Sequence, residues 1–544
     1  MTTAATAKRV LRALDPNDDL SAEPVSPLAL LSLLIAAGVS AFFFLRWRIQ
    51  PMQDLGLHVS MAAIVAGYRD AASGYPAMYK PLDWANTNSL FCTVAGLLGR
   101  VLPSAFAFRF AFCGYIVGLP FANLYALRVF GRSAWAAVVA VPLCYGALFA
   151  YGFASFLFAG PFVVLAVALF YRMLVHPTKR RVIAVAVVMT LLFLAHWHAY
   201  LWCGVLLFAM TLIGVLVTTQ RMIFGLPGTR PWTVAGLAIL SVLPSLALLG
   251  RWAYRMSQPA PADEFTLVRA ESANLDSFLE AVKPAQKSLA DFWAMIEMTR
   301  NDTDSKLFVA AAIVAVGCAG IGRLHRWKRP PVLEIACVLS FASYFLLPED
   351  FAGQQVIASR QIGVGMWFAP ALFTPVPWRV TRLGRLFAIV GVVALTSFHL
   401  SYWGKLLRKF QKEEAAGLDQ VLAAAPPYKR LHYVKIDPDS RYFSGHTFWH
   451  VEKWYMLDKR GQVDENPAYG AMQPLRYRRE YTPHIIDAHN QHWPKHGEIW
   501  ENFDLVLVHK WKPNQHDLDL ATEKGERLAQ HGDWELWQSR VAKR

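Results

Sequence analysis

Charged residues are scarce in this chain of 544 residues: Asp, Glu, Lys and Arg make up 17 % of it, against about 25 % in soluble globular domains. Apolar residues make up 55 %, and they are gathered into runs of the ~20 residues needed to cross the hydrocarbon core of a bilayer. Such runs recur between Leu28 and Trp403 and then stop. The composition excludes an ordinary soluble enzyme and predicts a multi-pass membrane protein.

Cysteine is also rare, with six residues that all lie in or beside apolar segments. The C-terminal quarter has none, which excludes a disulfide framework and a zinc ribbon there. The sequence lacks a glycine-rich phosphate loop, a His-Glu-x-x-His pattern, a Ser-His-Asp signature and a nucleic-acid-binding motif. We therefore attribute the net charge of +15 to membrane orientation, and an anionic-lipid or phosphate-bearing partner is compatible with it.

The apolar runs predict about eleven membrane-spanning helices and a mostly α-helical, polytopic fold. The first run, 28–47, is too long and too strongly flanked by arginine for a cleaved signal peptide, so it is interpreted as a signal anchor. The other predicted spans are 105–128, 133–151, 155–173, 181–197, 199–218, 232–250, 306–322, 331–347, 362–378 and 384–403.

Basic residues cluster at five alternate connections between these spans, and such clusters mark cytoplasmic loops. When all five are placed inside, the basic N-terminus lies inside as well, and the chain is predicted in the inner (plasma) membrane. The clusters are Arg128/Arg132, Arg172/Lys179/Arg180/Arg181, Arg221/Arg230, Arg323/Arg326/Lys328/Arg329 and Arg379/Arg382/Arg385. The predicted parts are a cytoplasmic segment 1–27, a transmembrane module 28–403 with outer loops 48–104, 251–305 and 348–361, and an extracytoplasmic domain 404–544.

This orientation requires that 89–103 does not cross the membrane. The segment is short, carries Arg100, and repeats its apolar residues at helical spacing, which favours an amphipathic helix on the outer surface. Residues Leu57 to Tyr68 show the same spacing. The first outer loop is therefore predicted to hold two interfacial helices.

The C-terminal domain is predicted to be α/β. Its segments 432–436, 503–509 and 534–538 have the apolar pattern of strands, and 518–530 has that of a helix.

The first outer loop begins with Asp54 and His58, which share one face of a helix because they are four residues apart. A carboxylate beside an imidazole at the membrane boundary can take a proton from a hydroxyl acceptor or hold a cation. The alternative is that Asp54 is only an N-terminal helix cap.

The stretch Gln53-Asp54-Leu55-Gly56-Leu57-His58 and the arrangement around it resemble the class C (GT-C) glycosyltransferases. Weaker similarities to this family lie at 152–156, 347–351, 359–361, 503–508 and 532–538. The resemblance implies an inverting hexosyl- or pentosyltransferase of the cell envelope, which takes sugar from a polyprenyl-phosphate donor outside the cytoplasm. Its acceptor would be a glycan, lipid or protein.

The resemblance also implies that Asp54 is the catalytic acidic residue. Leu55 stands where some members of the family have a second acidic residue. A divalent cation such as Mg²⁺ or Mn²⁺ near Asp54 therefore stays an open possibility that the sequence does not require.

Arg360 is predicted to grip the donor phosphate, because a guanidinium matches phosphate oxygens and the family places basic residues in late outer loops. The alternative is an interfacial arginine whose stem covers apolar surface. Glu349 and Asp350 precede it and either orient it or are ordinary loop residues. The same cavity is predicted to receive four further residues, namely Lys80, Asp83, Arg251 and Arg255.

Histidines outside the first loop have two interpretations. His196 and His198 end an apolar run, where an aromatic belt is favoured over a lining of the active cavity. His446 and His450 have a metal-compatible spacing if they are helical, but surface or substrate-facing histidines are favoured. Four further histidines of the domain, His484, His489, His492 and His496, are interpreted in the same way.

Two functions besides glycosyl transfer are compatible with the sequence. A lipid or solute transporter is disfavoured, because no pair of Gly- or Pro-broken apolar segments stands out in corresponding halves of the chain. A non-catalytic envelope-assembly protein would keep the fold without the chemistry.

Overall fold

The computed structural model describes most of the chain, in ranges that are separated by gaps. The described ranges are 25–218, 231–258, 264–265, 287–301, 303–322, 331–350, 355–373, 382–434, 438–464, 466–470, 473–480, 496–509 and 515–542. All eight residues predicted to form the catalytic and substrate-binding site lie within them.

The described part of the chain is mostly helical. Its first ten α-helices are α1 (Pro27–Arg46), α2 (Leu55–Gly67), α3 (Tyr75–Met78), α4 (Ser89–Leu98), α5 (Ser104–Val129), α6 (Ala147–Tyr151), α7 (Ala154–Val175), α8 (Lys179–Ala195), α9 (Trp197–Thr218) and α10 (Pro231–Ser257). The later ones are α11 (Leu289–Ala294), α12 (Thr303–Gly322), α13 (Val332–Leu346), α14 (Ile357–Phe368), α15 (Arg382–Phe410), α16 (Ala416–Ala424), α17 (Lys453–Lys459), α18 (His496–Asn502) and α19 (Gln515–Lys524).

Among the described residues, five helices are long and apolar enough to cross a membrane: α1, α5, α7, α9 and α10. They correspond to five of the predicted spans, and they confirm a multi-pass membrane protein. Helices α8, α12, α13, α14 and α15 lie on five more of the predicted spans. The end of one of these spans, 374–378, lies outside the described residues.

The predicted span 133–151 does not form one helix. It consists of the 3₁₀ helices Ala134–Ala140 and Pro142–Cys144, followed by the short helix α6. Pro142 cannot donate a backbone hydrogen bond, and Gly146 is fully extended, so a continuous α-helix is interrupted twice.

Helices α2 and α4 lie where the first outer loop was predicted to hold two helices. Helix α2, however, is buried along most of its length instead of exposing a polar face. One side packs against α4, where a Cβ at Gly96 would lie 2.5 Å from Val65. The other side meets the C-terminal domain, whose Arg460 Nη1 donates to the carbonyl oxygen of Ala63 (3.2 Å).

The C-terminal domain contains a mixed five-stranded sheet, as the α/β prediction requires. Its strand order is β3 (Gln462–Val463), β2 (Arg430–Val434), β5 (Leu505–His509), β7 (Trp534–Ser539) and β6 (Gly525–His531). Strand β2 is parallel to β3 and β5, whereas β7 is antiparallel to β5 and β6.

The predicted helix 518–530 is wrong in its second half. Helix α19 ends at Lys524, and the following residues form β6, which pairs with β7 as a hairpin. Gly532 adopts a left-handed conformation in the connecting turn, with a φ of 57°. Cross-strand pairing with β7 therefore overrides the local helical pattern.

The domain is joined to the helices in two ways. Helix α15 continues past residue 404 without a break, and the outer loops pair with the domain. The two-residue strand β1 (Glu264–Phe265) is antiparallel to β4 (Tyr477–Arg478), and Thr299 forms a bridge with Phe443. These contacts, together with the bridge between Tyr79 and Tyr477, bring the C-terminal domain against the predicted first and second outer loops.

Candidate functional site

Asp54 occupies the N-cap position of α2, but its side chain makes no capping hydrogen bond. The backbone N–H groups of Gln53 and Asp54 donate to the carbonyl oxygens of Ala150 and Tyr151 (2.8 and 2.9 Å). Gly152 follows in a left-handed conformation, with a φ of 77°, and a Cβ there would lie 2.8 Å from the Asp54 nitrogen. The carboxylate is thus carried on a fixed backbone and is not used as a cap.

His58 lies one turn further along α2. Its Nδ1 is 3.3 Å from the hydroxyl oxygen of Ser155, at the start of α7. Burial lowers the pKa of His58 to about 4, so that the imidazole is neutral at physiological pH. A neutral imidazole at this position can accept or donate a hydrogen bond without adding charge beside Asp54.

Arg360 lies in the first turn of α14, with its guanidinium stacked on aromatic rings. Its Cζ is 4.8 Å from the ring centre of Phe153 and 5.9 Å from that of Phe156. The Nε and Nη1 atoms are buried and have no hydrogen-bond partner among the described residues. Burial lowers the pKa of Arg360 to about 10, while the carboxylates of Glu349 and Asp54 oppose that shift. The guanidinium is therefore a buried cation with unused donors.

His196 and His198 lie close to Arg360, on the same aromatic side chain, Phe156. Both side chains are buried, and both contact Phe156, with ring centres 5.2 and 6.1 Å away. The Nε2 of His198 is 2.9 Å from Nε2 of Gln361, the residue after Arg360. These contacts place both histidines beside the stacked arginine.

Glu349 holds the start of α14. Its Oε1 accepts a hydrogen bond from the Ser359 hydroxyl (2.6 Å), and its Oε2 is 3.5 Å from Nζ of Lys287. Its backbone oxygen also accepts from the Ile357 nitrogen (2.7 Å). Glu349 therefore supports Arg360 through the helix, while Asp350 is exposed in the same loop.

Lys80, Arg251 and Arg255 form ion pairs between loops. Arg251 Nη2 is 3.2 Å from Oδ1 of Asp83, and Arg255 pairs with Asp83 and with Glu264 (3.0 Å). Lys80 Nζ is 3.3 Å from Oε1 of the same Glu264. This cluster joins the first outer loop, the end of α10 and strand β1. The sequence did not predict that these cations face carboxylates of the protein.

The C-terminal domain contributes a residue to the Asp54 region that the sequence did not assign to it. His450 Nε2 lies 3.8 Å from Oδ1 of Asp54, and the imidazole is buried. His446, four residues earlier, instead has its Nδ1 2.8 Å from Oδ1 of Asp439. The segment forms turns and not a helix, so the metal-compatible spacing does not bring the two imidazoles together.

Of the other histidines with the same interpretation, only His496 lies within the described residues. His484, His489 and His492 lie outside the described residues, and His496 begins α18. Within the described ranges, no three His, Cys, Asp or Glu side chains are grouped as a metal ion would need.

Two cavities adjoin the helix that carries Arg360. The larger, of about 570 Å³, is bounded mainly by apolar side chains of α12, α14 and α15 and by the residues before α6. The smaller, of about 280 Å³, is bounded by Leu148, Ile362 and Trp367 among others. Met366 of α14 lines both of them. The apolar space therefore begins within two helical turns of Arg360.

No protein-family model and no curated protein matches the chain. Among solved structures, ArnT from Cupriavidus metallidurans bound to undecaprenyl phosphate is similar, with a TM-score of 0.50 and 13 % identity over 95 % of this chain and 99 % of that chain. The archaeal oligosaccharyltransferase AglB from Archaeoglobus fulgidus, in complex with an inhibitory peptide and a dolichol-phosphate, gives 0.43 and 11 % over 95 % of this chain and 75 % of that chain. The likeness to ArnT confirms, for the fold, the resemblance to class C glycosyltransferases.

Proposed function

We propose that this chain is a membrane glycosyltransferase that moves a sugar from a polyprenyl-phosphate-linked donor to an extracytoplasmic acceptor. One observation carries the proposal. The Arg360 guanidinium has two buried N–H donors without a partner among the described residues, and the negative charge of the Asp54 carboxylate raises its pKa. Such a pair suits a reaction in which a phosphate leaves one side of a sugar while a hydroxyl attacks from the other.

The donor half of the site is built around Arg360. Its free Nε and Nη1 atoms can bind two phosphate oxygens at once, and Phe153 fixes the plane of the guanidinium. The pKa of about 10 leaves the group charged at physiological pH. The apolar cavities beside α14 offer room for the first isoprene units of the lipid. Undecaprenyl phosphate, the ligand bound to ArnT, is the lipid we propose as a probe.

The acceptor half is built around Asp54. In the proposed step, the acceptor oxygen attacks the anomeric carbon while the bond from that carbon to the phosphate oxygen breaks. The proton of the acceptor passes to the Asp54 carboxylate, and the polyprenyl phosphate leaves with the bonding electron pair, held by Arg360. Attack opposite the leaving phosphate inverts the anomeric centre. Neutral His58 can orient the acceptor through a hydrogen bond without adding charge to the site.

The proposed step uses no divalent cation. Among the described residues, no three His, Cys, Asp or Glu side chains are grouped as a metal site, and a cation held by Asp54 alone would take its other ligands from water and substrate oxygens. Charge on the leaving phosphate is instead assigned to Arg360.

The proposal includes an orientation in the inner membrane. The proposed orientation has about eleven crossings, with 133–151 crossing as an interrupted segment and the basic clusters inside, so that Asp54, Arg360 and the C-terminal domain lie on the extracytoplasmic side. A lipid donor that has been moved across the membrane would present its sugar on that side. The domain, which packs against the first outer loop, would then cover the acceptor side of the site.

The catalytic assignment is tested by Asp54→Asn, which keeps the shape of the side chain and removes the base. Mass spectrometry of envelope glycolipids and glycoproteins compares cells that carry the wild type, the variant or neither. We expect a product that needs the protein, and its loss by a factor of about 100 or more in the variant. Asp533→Asn, at a partly exposed carboxylate in the turn between β6 and β7, is the matched control. Unchanged product in a folded Asp54→Asn variant would refute the assignment.

The donor assignment is tested by binding of undecaprenyl phosphate to the purified protein. Arg360→Gln should weaken binding about tenfold or more, because charge-assisted hydrogen bonds are lost. Arg360→Lys should recover part of it, since charge remains without the planar fork. Arg408→Gln, at an exposed arginine of α15, is the control for net charge. Equal affinity in all four proteins would contradict the assignment.

A further inference from the structure

A short segment of the C-terminal domain, Gly445 to His450, lies directly over the start of α2. The backbone nitrogen of His446 donates to Oε1 of Gln53 (3.2 Å), and that same oxygen is 3.4 Å from where a Cβ at Gly445 would lie. At the other end of the segment, His450 Nε2 is 3.8 Å from Oδ1 of Asp54. The two residues before α2 are therefore contacted by the two ends of one turn.

We infer that His450 is a positioning residue for Asp54, through which the C-terminal domain sets the orientation of the proposed catalytic carboxylate. The catalytic consequence rests on the proposed function, whereas the contact itself does not. The domain would then complete the active site, and its role would extend beyond a cover over it.

The backbone of His450 is held firmly enough to do this. Its carbonyl oxygen would be 2.0 Å from a Cβ at Gly56, so α2 and the turn approach as closely as a glycine allows. The imidazole is 5 % exposed, whereas the Asp54 carboxylate is 24 % exposed. A buried ring on a fixed backbone therefore faces a partly open carboxylate, which leaves the other side of Asp54 for an acceptor.

A neighbouring imidazole matters for Asp54 because this residue occupies the N-cap position of α2. A carboxylate at an N-cap position is attracted to the free N–H groups of the first helical turn, and a capped carboxylate is a weaker base. The Asp54 side chain makes no such bond. An imidazole on the opposite side can keep the carboxylate out of the capping rotamer and turned toward the site.

Several charged groups act around this pair. Asp54 faces His450 from α2, and Arg360 acts on Asp54 from α14. On the domain itself, the buried ion pair of Glu452 and Lys453 follows His450 in the chain. Among the described residues, the Asp54 carboxylate lies within ion-pair distance of the His450 ring.

The contact is tested without any substrate by histidine-selective NMR titration of the purified full-length protein. Replacing Asp54 with Asn removes a negative charge 3.8 Å from the imidazole, which should lower the pKa of His450 by about one unit. His450→Gln identifies the resonance. Asp439→Asn is the matched control, because it should move His446 and leave His450 unchanged. A His450 pKa that is the same in the wild type and in folded Asp54→Asn would overturn the inference.

The positioning role is tested by product formation in cells, measured as for Asp54→Asn. His450→Ala should reduce product about tenfold or more, and His450→Gln should restore part of it, because a side-chain amide N–H can interact with the carboxylate from the same position. His446→Gln, whose side chain faces Asp439, should retain full product. A merely structural role would make His450→Gln and His450→Ala lose product in parallel with their loss of thermal stability, and that result would overturn the inference.

The two failures can be told apart. If the His450 pKa responds to Asp54→Asn but no glycosylated product depends on the protein, the proposed function fails and the contact stands. If product depends on Asp54 and is retained in both His450 variants, the proposed function stands and the positioning role is overturned.

Discussion

Gly56 and His450 touch backbone to backbone: a Cβ built on Gly56 would lie 2.0 Å from the carbonyl oxygen of His450. Real Cβ atoms do not approach another atom that closely, so no other residue fits at position 56 without a shift of the backbone. The glycine lies within the stretch Gln53 to His58, between the two residues assigned to chemistry. Its structural task is to let the C-terminal domain reach Asp54.

Gly56→Ala should therefore separate the domain from α2. We expect a loss of about 1–3 kcal/mol in the free energy of unfolding, as for other overpacked sites, together with a lower yield of product. Thermal unfolding of the purified protein in detergent measures the first effect. Gly38→Ala is the matched control, because a Cβ at Gly38 meets nothing within 4 Å. Equal melting temperatures for the two variants would contradict the close contact.

The pH dependence of stability should contain a contribution from His58. Its folded pKa of about 4 lies below the ordinary 6.5, so the unfolded chain binds a proton first as the pH falls. The contribution is fully present above pH 6.5 and is lost between pH 6.5 and 4, by at most about 3 kcal/mol. His58→Gln should flatten the melting-temperature curve in that window. A curve as steep as the wild type in His58→Gln would refute this.

Glu264 should matter more for stability than its place in a two-residue strand suggests. Its carboxylate faces Lys80 (3.3 Å), Arg255 (3.0 Å) and Arg476 (3.9 Å), and it is 7 % exposed. Glu264→Gln leaves these cations without that charge, and we expect a cost of about 1–3 kcal/mol.

The matched comparison for Glu264→Gln is Arg251→Ala, at the half-exposed end of the same cluster, where about 0–1 kcal/mol is expected. Chemical unfolding in detergent measures both. A larger effect for Arg251→Ala would mean that the cluster is not organised around Glu264.

The proposed orientation predicts which face of the membrane Val101 lies on. Val101 is 78 % exposed, in the turn between α4 and α5. A cysteine there should react with a membrane-impermeant maleimide added to intact spheroplasts, whereas a cysteine at the exposed Arg180 should react only after permeabilisation. The five native cysteines whose side chains the structure describes are buried, so they contribute little background labelling. The reverse pattern would place both Asp54 and the C-terminal domain in the cytoplasm.

Much of the architecture could be read from the sequence because hydrophobic runs are a local property. The length and apolarity of five helices follow from their own residues, and so does the strand character of β2, β5 and β7. Predictions were wrong or incomplete where the contacts or backbone limits of particular residues determine the local structure. Residues 525–531 are a strand because β7 offers an edge to pair with, and 133–151 is broken by Pro142 and Gly146.

The candidate site divides in the same way. The sequence by itself singled out Asp54, His58 and Arg360, because side-chain chemistry and spacing are visible in one dimension. Only the tertiary structure determined which residues surround these side chains. In the structure, Arg360 stacks on Phe153, and His450 lies beside Asp54 although almost 400 residues of chain separate them. Lys80 and Arg255 both form ion pairs with Glu264. Contacts between segments so far apart depend on how whole elements pack, and no local pattern encodes that packing.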